Sequence, residues 1–183
     1  MTRRLLGAAL LALAAGCATS PPAPPTSAPV GDTWTLQGRI GVQSGEQSVS
    51  GNVRWRHQPE LDELLITSPL GQGVARIVRD DAGVLLEVPN QPPRRALDAE
   101  ALTRETLGYA LPVSGLVWWV RGEADPRSAH RARRASDGRL ERLEQDGWVI
   151  HYLQYAADGR PRKLLVARQD LEIRLVADRW DVE

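Results

Sequence analysis

"TWTLQGRIGVQ" (residues 33–43) and "SVSGNVRWRH" (48–57) decide the fold. In the first, Trp34, Leu36, Ile40 and Val42 share one face, with Gln37 and Arg39 opposite. In the second, Val49, Val53 and Trp55 share one face, with Ser48, Ser50, Asn52, Arg54 and Arg56 opposite. Period-two alternation of this kind marks half-buried strands of an antiparallel sheet, one face against a core and the other in water. Gly38, Gly41 and Gly51 inside these strands predict bulges or sharp bends, as strong curvature requires. "ELDELLITS", "GVARIVRD" and "GVLLEVPN" continue the series, with turn residues between them.

The period then changes. Asp98 is placed to cap a helix running to about Leu107, with Leu97 and Leu102 at staple spacing and Gly108 just past its end. "LPVSGLVWWVRGE" predicts a second short helix, with Ser114 as its cap and Gly122 beyond it. Leu116, Trp119 and Val120 share one of its faces. Strands resume afterwards. "GRLERLEQ" and "WVIHYLQY" flank Asp146-Gly147, a strong hairpin signal. Asp158-Gly159-Arg160-Pro161 makes another turn, and "RKLLVARQ" and "LEIRLVADRW" flank Gln169-Asp170. The sum is a mostly β fold with a helical insert: a curved antiparallel sheet with a helical cover, not alternating βαβ units.

The N-terminus sets the compartment. Arg3 and Arg4 precede an apolar run from Leu5 to Ala15, the layout of a secretory signal. As a helix this run would span roughly 17 Å against a hydrocarbon core of about 30 Å, too short for a membrane anchor. Cys17, the one cysteine of the chain, follows Leu13-Ala14-Ala15-Gly16. The arrangement resembles the lipobox of bacterial lipoproteins. The resemblance implies cleavage after residue 16, acylation of Cys17 and, with Ala18 rather than Asp next, the outer membrane. Residues 17–31 form a Pro-rich tether, with five prolines between Ala18 and Val30. Residues 32–183 make one domain of ordinary length. Without Arg3 and Arg4, 21 basic residues face 23 acidic ones, so there is no nucleic-acid footprint.

No constellation for catalysis emerges. His57, His130 and His151 stand at no ligand spacing, so neither a metal nor a cofactor is expected. Ser44, Ser50 and Ser114 precede glycine outside any G-x-S-x-G, and Walker and G-x-G-x-x-G loops are absent. The basic run "PRSAHRARRASDGR", with Arg127, Arg131, Arg133 and Arg134, has the composition of a solvated loop that could meet headgroups or an acidic partner. Trp55, Trp119 and Trp148 fall at inward positions, either as core or as the wall of an apolar cavity. One turn stands out. In "LLITSPLGQGVARI" (64–77), Leu70 occupies a turn tip, where small or polar residues are usual, with no charge from Leu64 to Ala75.

Together, "GRIGV" with "SGNVRWRH", "LLITSPLGQ", "LGYALPVSGLVWWVRG", "GRLERLEQDGWVIHYLQY" and the closing "LVADRW" resemble the LolB family, over about Trp34 to Trp180. The resemblance implies an unclosed, strongly curved antiparallel β-barrel under a lid of short α-helices, with an apolar cavity. It implies a periplasm-facing, lipid-anchored outer-membrane protein, not an enzyme, acting as a monomer. Its partners would be the carrier LolA, the acyl chains of cargo lipoproteins and outer-membrane lipid. Carried over, Cys17 is the lipidated residue and Leu70 the membrane-inserting leucine. Alternation places Trp55, Leu65, Ile77, Leu116, Trp119, Trp148, Ile150 and Ile173 around the cavity. Separately, the basic run with Arg127, Arg131, Arg133 and Arg134 is the candidate for a carrier or headgroup contact. The alternative is a lipid-binding or structural outer-membrane lipoprotein without carrier exchange.

Overall fold

A computed structural model describes residues 31–182. The signal segment of residues 1–16, Cys17 and the tether up to residue 30 lie outside them. Eleven strands form one antiparallel sheet, interrupted in sequence by two helices. β1 (Trp34–Ser44), β2 (Gln47–Gln58), β3 (Leu61–Thr67), β4 (Gly73–Asp80), β5 (Gly83–Glu87) and β6 (Arg94–Ala96) form a meander outward from β1. α1 (Ala99–Leu107) and α2 (Val113–Trp119) follow. β7 (His130–Arg134), β8 (Leu140–Gln145), β9 (Trp148–Tyr155), β10 (Pro161–Arg168) and β11 (Leu171–Val182) return to pair with β1. The order β6-β5-β4-β3-β2-β1-β11-β10-β9-β8-β7 leaves β6 and β7 as edges, so the sheet is unclosed.

The alternation of β1 holds, with Trp34, Leu36, Ile40 and Val42 buried. That of β2 holds from Gly51 onward, with Val53 and Trp55 buried. Val49, expected on the same face, is 37% exposed, because the first four residues of β2 are all solvent-facing. Two glycines permit the curvature. The β1–β11 register shifts between Gln37 and Gly38, and a Cβ on Gly38 would stand 2.0 Å from the Val176 carbonyl oxygen. A Cβ on Gly51 would stand 2.1 Å from that of Thr67. Only glycine allows such backbone contact.

α1 starts as its sequence predicts. The Asp98 carboxylate accepts from the Glu100 and Ala101 amides at 2.8 and 3.3 Å, and Gly108 closes the helix at φ 85°. The expected Leu97–Leu102 staple does not form. Leu102 is buried, while Leu97 is 89% exposed, its backbone held beside Gly83 by the β5–β6 pairing. Nor does Ser114 cap α2, whose N-cap position is Pro112 without a side-chain hydrogen bond. The basic run is not wholly a loop either. His130–Arg134 is edge strand β7, exposed at all five residues and paired with β8, so no apolar periodicity could announce it.

Both helices contribute to one buried apolar cluster with the inner face of the sheet. α2 is held between the two halves of that sheet. Its Trp119 bonds to β8, while Trp118 shares a cleft with His57 of β2 and Arg79 of β4.

Candidate functional site

The interior starts from side chains that alternation sends inward. Trp55, Ile77, Leu116, Trp119, Trp148, Ile150 and Ile173 are each at most 2% exposed and belong to the same cluster. Leu65 is a correction. It stands on the outer face, 40% exposed, and its neighbours Leu64 and Ile66 point inward. "LLI" carries three consecutive apolar residues, so apolarity alone fits both phases, and a one-residue shift exchanges the faces. Asp62, two residues before Leu64, shares the inward phase.

Inward polar groups fix the cover to the wall. The Trp119 indole donates to Gln145 Oε1 at 2.9 Å, and the same oxygen accepts from the Asp125 amide at 2.9 Å. Gln145 Nε2 donates to the carbonyls of Asp125 and Ser128 at 2.7 and 3.1 Å. The Tyr152 hydroxyl donates to the Trp119 carbonyl at 3.1 Å, and burial pushes its pKa upward. On α1, Glu100 accepts from the Trp148 indole at 3.1 Å and pairs with Arg168, whose guanidinium lies over that indole. Beside this junction a cleft of about 360 Å³ opens between the N-terminal ends of the helices and the β8–β9 turn, with Val113, Trp119 and Trp148 on its walls.

A second buried network closes the other side. Asp62, fully buried, accepts from the Trp55 indole at 2.9 Å and from Arg79 Nε at 2.9 Å, and lies 2.7 Å from His57 Nδ1. Burial acts to raise its pKa. The hydrogen bond from His57, the Arg79 charge and the Trp55 hydrogen bond outweigh that and hold the carboxyl below its usual value. Trp34 stacks on His57, with ring centroids 4.8 Å apart. The sequence reading missed both Asp62 and Gln145. Their signal is a polar residue in phase with inward apolar ones, but its partner appears only on folding.

Leu70 does not fold back onto the sheet. It is 89% exposed on a turn closed by hydrogen bonds from the Gly71 amide to the Ser68 carbonyl (2.9 Å) and from the Ser68 amide to the Gln72 carbonyl (2.7 Å). Gly71 adopts φ 84°. The hydrogen bonds hold the leucine out from the sheet.

The four arginines do not converge. Arg127 is claimed by Asp125, Arg133 by Glu141, and Arg134 donates to the Gly138 carbonyl, while Arg131 lies opposite Glu144 on β7. Among the described residues, no group of three or more His, Cys, Asp or Glu could hold a metal ion. None of the described helices is long and apolar enough to cross a membrane.

Comparisons with known proteins agree with this architecture. Residues 32–180 match the sequence model of the family described as outer membrane lipoprotein LolB. The chain is 58% identical over 181 residues to the outer-membrane lipoprotein LolB of Thiobacillus denitrificans, covering 97% of each. It is 40% identical over 152 residues to that of Pseudomonas aeruginosa, covering 81% of this chain and 74% of the relative. In fold it is similar to a LolA superfamily protein from Nitrosomonas europaea, with TM-score 0.53, 12% identity, and coverage of 83% of this chain and 86% of the other. The chain therefore belongs to the outer membrane lipoprotein LolB family.

Proposed function

We propose that this outer-membrane lipoprotein receptor accepts lipoproteins from LolA, shelters their acyl chains beneath the α1–α2 cover, and delivers them to the bilayer through the Leu70 turn. The observation that carries the proposal is the pairing of an apolar interior under a hydrogen-bonded helical cover with one leucine presented to solvent on a tied turn. Acyl chains in water cost about 0.8 kcal/mol per methylene, so they must pass between apolar sites without release. α1 and α2 are the movable elements. Polar contacts join them to the wall at Gln145, Tyr152, Glu100 and Arg94, and lifting them exposes Trp55, Ile77, Leu116, Trp119, Trp148, Ile150 and Ile173 to an incoming chain.

Direction then follows from affinity, with the receptor holding chains more tightly than the carrier and the bilayer lowest in free energy. No nucleotide is required at this step. Burying the Leu70 side chain in the acyl layer gains about 1.5–3 kcal/mol, enough to dock the turn reversibly. Acylated Cys17 keeps the domain at the membrane, while Leu70 orients it there.

The test is exchange. A labelled lipoprotein bound to LolA is mixed with the mature chain carrying Cys17→Ala, and the complexes are separated. The label is expected on this chain. Retention by LolA contradicts the proposal and favours a lipid-binding or structural lipoprotein.

A further inference from the structure

The outer face of β1–β6 is rich in arginine, and nearly all of it is paired. Arg39 meets Asp178, Arg56 meets Glu63, Arg76 meets Glu63 and Glu87, and Arg95 meets Asp80. Among the described residues, Arg54 is the exposed guanidinium of this face that meets no carboxylate. It lies directly across from Leu65, the exposed leucine of the same face. Leu65 leads in turn to the Leu70 turn along β3, and Asn52 reaches toward that turn from β2. Past the exposed Glu46 of the β1–β2 turn, Gln47, Ser48, Ser50 and Asn52 of β2 are uncharged, and Arg54 is the first charge met along the strand.

We propose that the outer face of the β2–β3 hairpin is a membrane-docking strip in which Arg54 binds the phosphate of a membrane phospholipid while Leu70 enters the acyl layer. The inference rests on the assignment of Leu70 to insertion and adds the chemistry of the lipid it meets. A headgroup layer is about 5–7 Å deep on each side. Leu65 is five residues from Leu70, within about 17 Å along an extended chain. A hairpin leaning onto the surface brings Leu65 to headgroup level and lets Arg54 extend along it to the phosphates. A planar guanidinium without a protein carboxylate suits a phosphodiester, whereas its paired neighbours are neutralised.

The anchor permits this pose. Asp32 shares a cleft with His57 and Pro59, at the end of β3 away from Leu70. Seven residues of β3 cover about 24 Å. The chain from Cys17 to Gly31 reaches up to about 50 Å, so the acylated end and the Leu70 end can meet one leaflet.

The test measures binding of the mature chain, with Cys17→Ala, to vesicles of phosphatidylcholine alone or with phosphatidylglycerol at 3:1. One basic residue at an anionic surface corresponds to about a fivefold change in affinity. Arg54→Gln is expected to lose about fivefold on the mixed vesicles, with Arg54→Lys recovering part of it. Arg162→Gln, on β10 three strands from β2, should bind like the parent, and melting curves of all variants should coincide. Equal losses for Arg54→Gln and Arg162→Gln would overturn the inference in favour of diffuse charge. Parental vesicle binding by Arg54→Gln, with impaired uptake from LolA, would overturn it in favour of a protein contact. Leu70→Glu separates the two levels. If it binds vesicles like the parent, the insertion assignment itself fails. If it fails to bind while Arg54→Gln binds normally, only the phosphate contact falls.

Discussion

The Trp119 indole donates to the Gln145 side chain at 2.9 Å, so the helix that covers the interior is bonded to the wall it covers. Gln145 is 3% exposed and also receives the Asp125 amide, which leaves these donors no access to water. Gln145→Leu keeps the volume and removes every one of these bonds. Stranded buried polar groups cost about 1–3 kcal/mol each, so a loss of about 3 kcal/mol and a fall of roughly 10 °C in Tm is expected by calorimetry. Binding of an apolar fluorescent dye should rise in the native state as the cover loosens. An unchanged Tm would show that Gln145 does not hold the lid.

Asp62 makes stability depend on acid. Its folded pKa lies below the unfolded value, so its contribution is present above about pH 4 and is lost as pH falls below that. Asp62→Asn is expected to cost about 3 kcal/mol at neutral pH, because Arg79 loses its buried partner. It should also flatten the acid-side loss seen in denaturation between pH 4 and pH 2. Part of the slope remains, since Arg76 holds the Glu63 pKa down and Arg127 does the same for Asp125. A slope identical to the parent's contradicts the assignment.

Gly51→Ala tests the curvature. The added methyl meets the Thr67 carbonyl oxygen at 2.1 Å, and backbone rather than a side chain must give way. The expected cost is about 2 kcal/mol or more in chemical denaturation. Gly73→Ala, with open space around its Cβ, serves as the control and should differ little from the parent.

Much of this architecture is legible where one face is clearly apolar. Trp34, Leu36, Ile40 and Val42 announce β1, Asp146-Gly147 announces the β8–β9 hairpin, and Asp98 and Gly108 bracket α1. Legibility fails for particular physical reasons. "HRARR" and "RRA" are edge strands with no fully buried position, so they carry no periodic signal. "LLI" offers apolar residues in both phases, and the choice falls to Leu64 and Ile66. Asp62 and Gln145 are polar residues whose place inside depends on partners distant in sequence or on other elements, such as Arg79 and Trp119. Leu70 is legible in the opposite sense. An apolar residue where the turn chemistry calls for none predicts exposure, and 89% exposure is found.

The central claim is that Leu70 delivers cargo to the bilayer and does not hold the fold together. Leu70→Glu should therefore change stability by no more than about 0.5 kcal/mol, as for other surface substitutions. The most direct measurement is a two-step transfer: a labelled lipoprotein on LolA, then the mature chain with Cys17→Ala, then liposomes. The parent and the Leu70→Glu variant should both take the lipoprotein from LolA, and only the parent should pass it on to the liposomes. Equal delivery by the two would contradict the account.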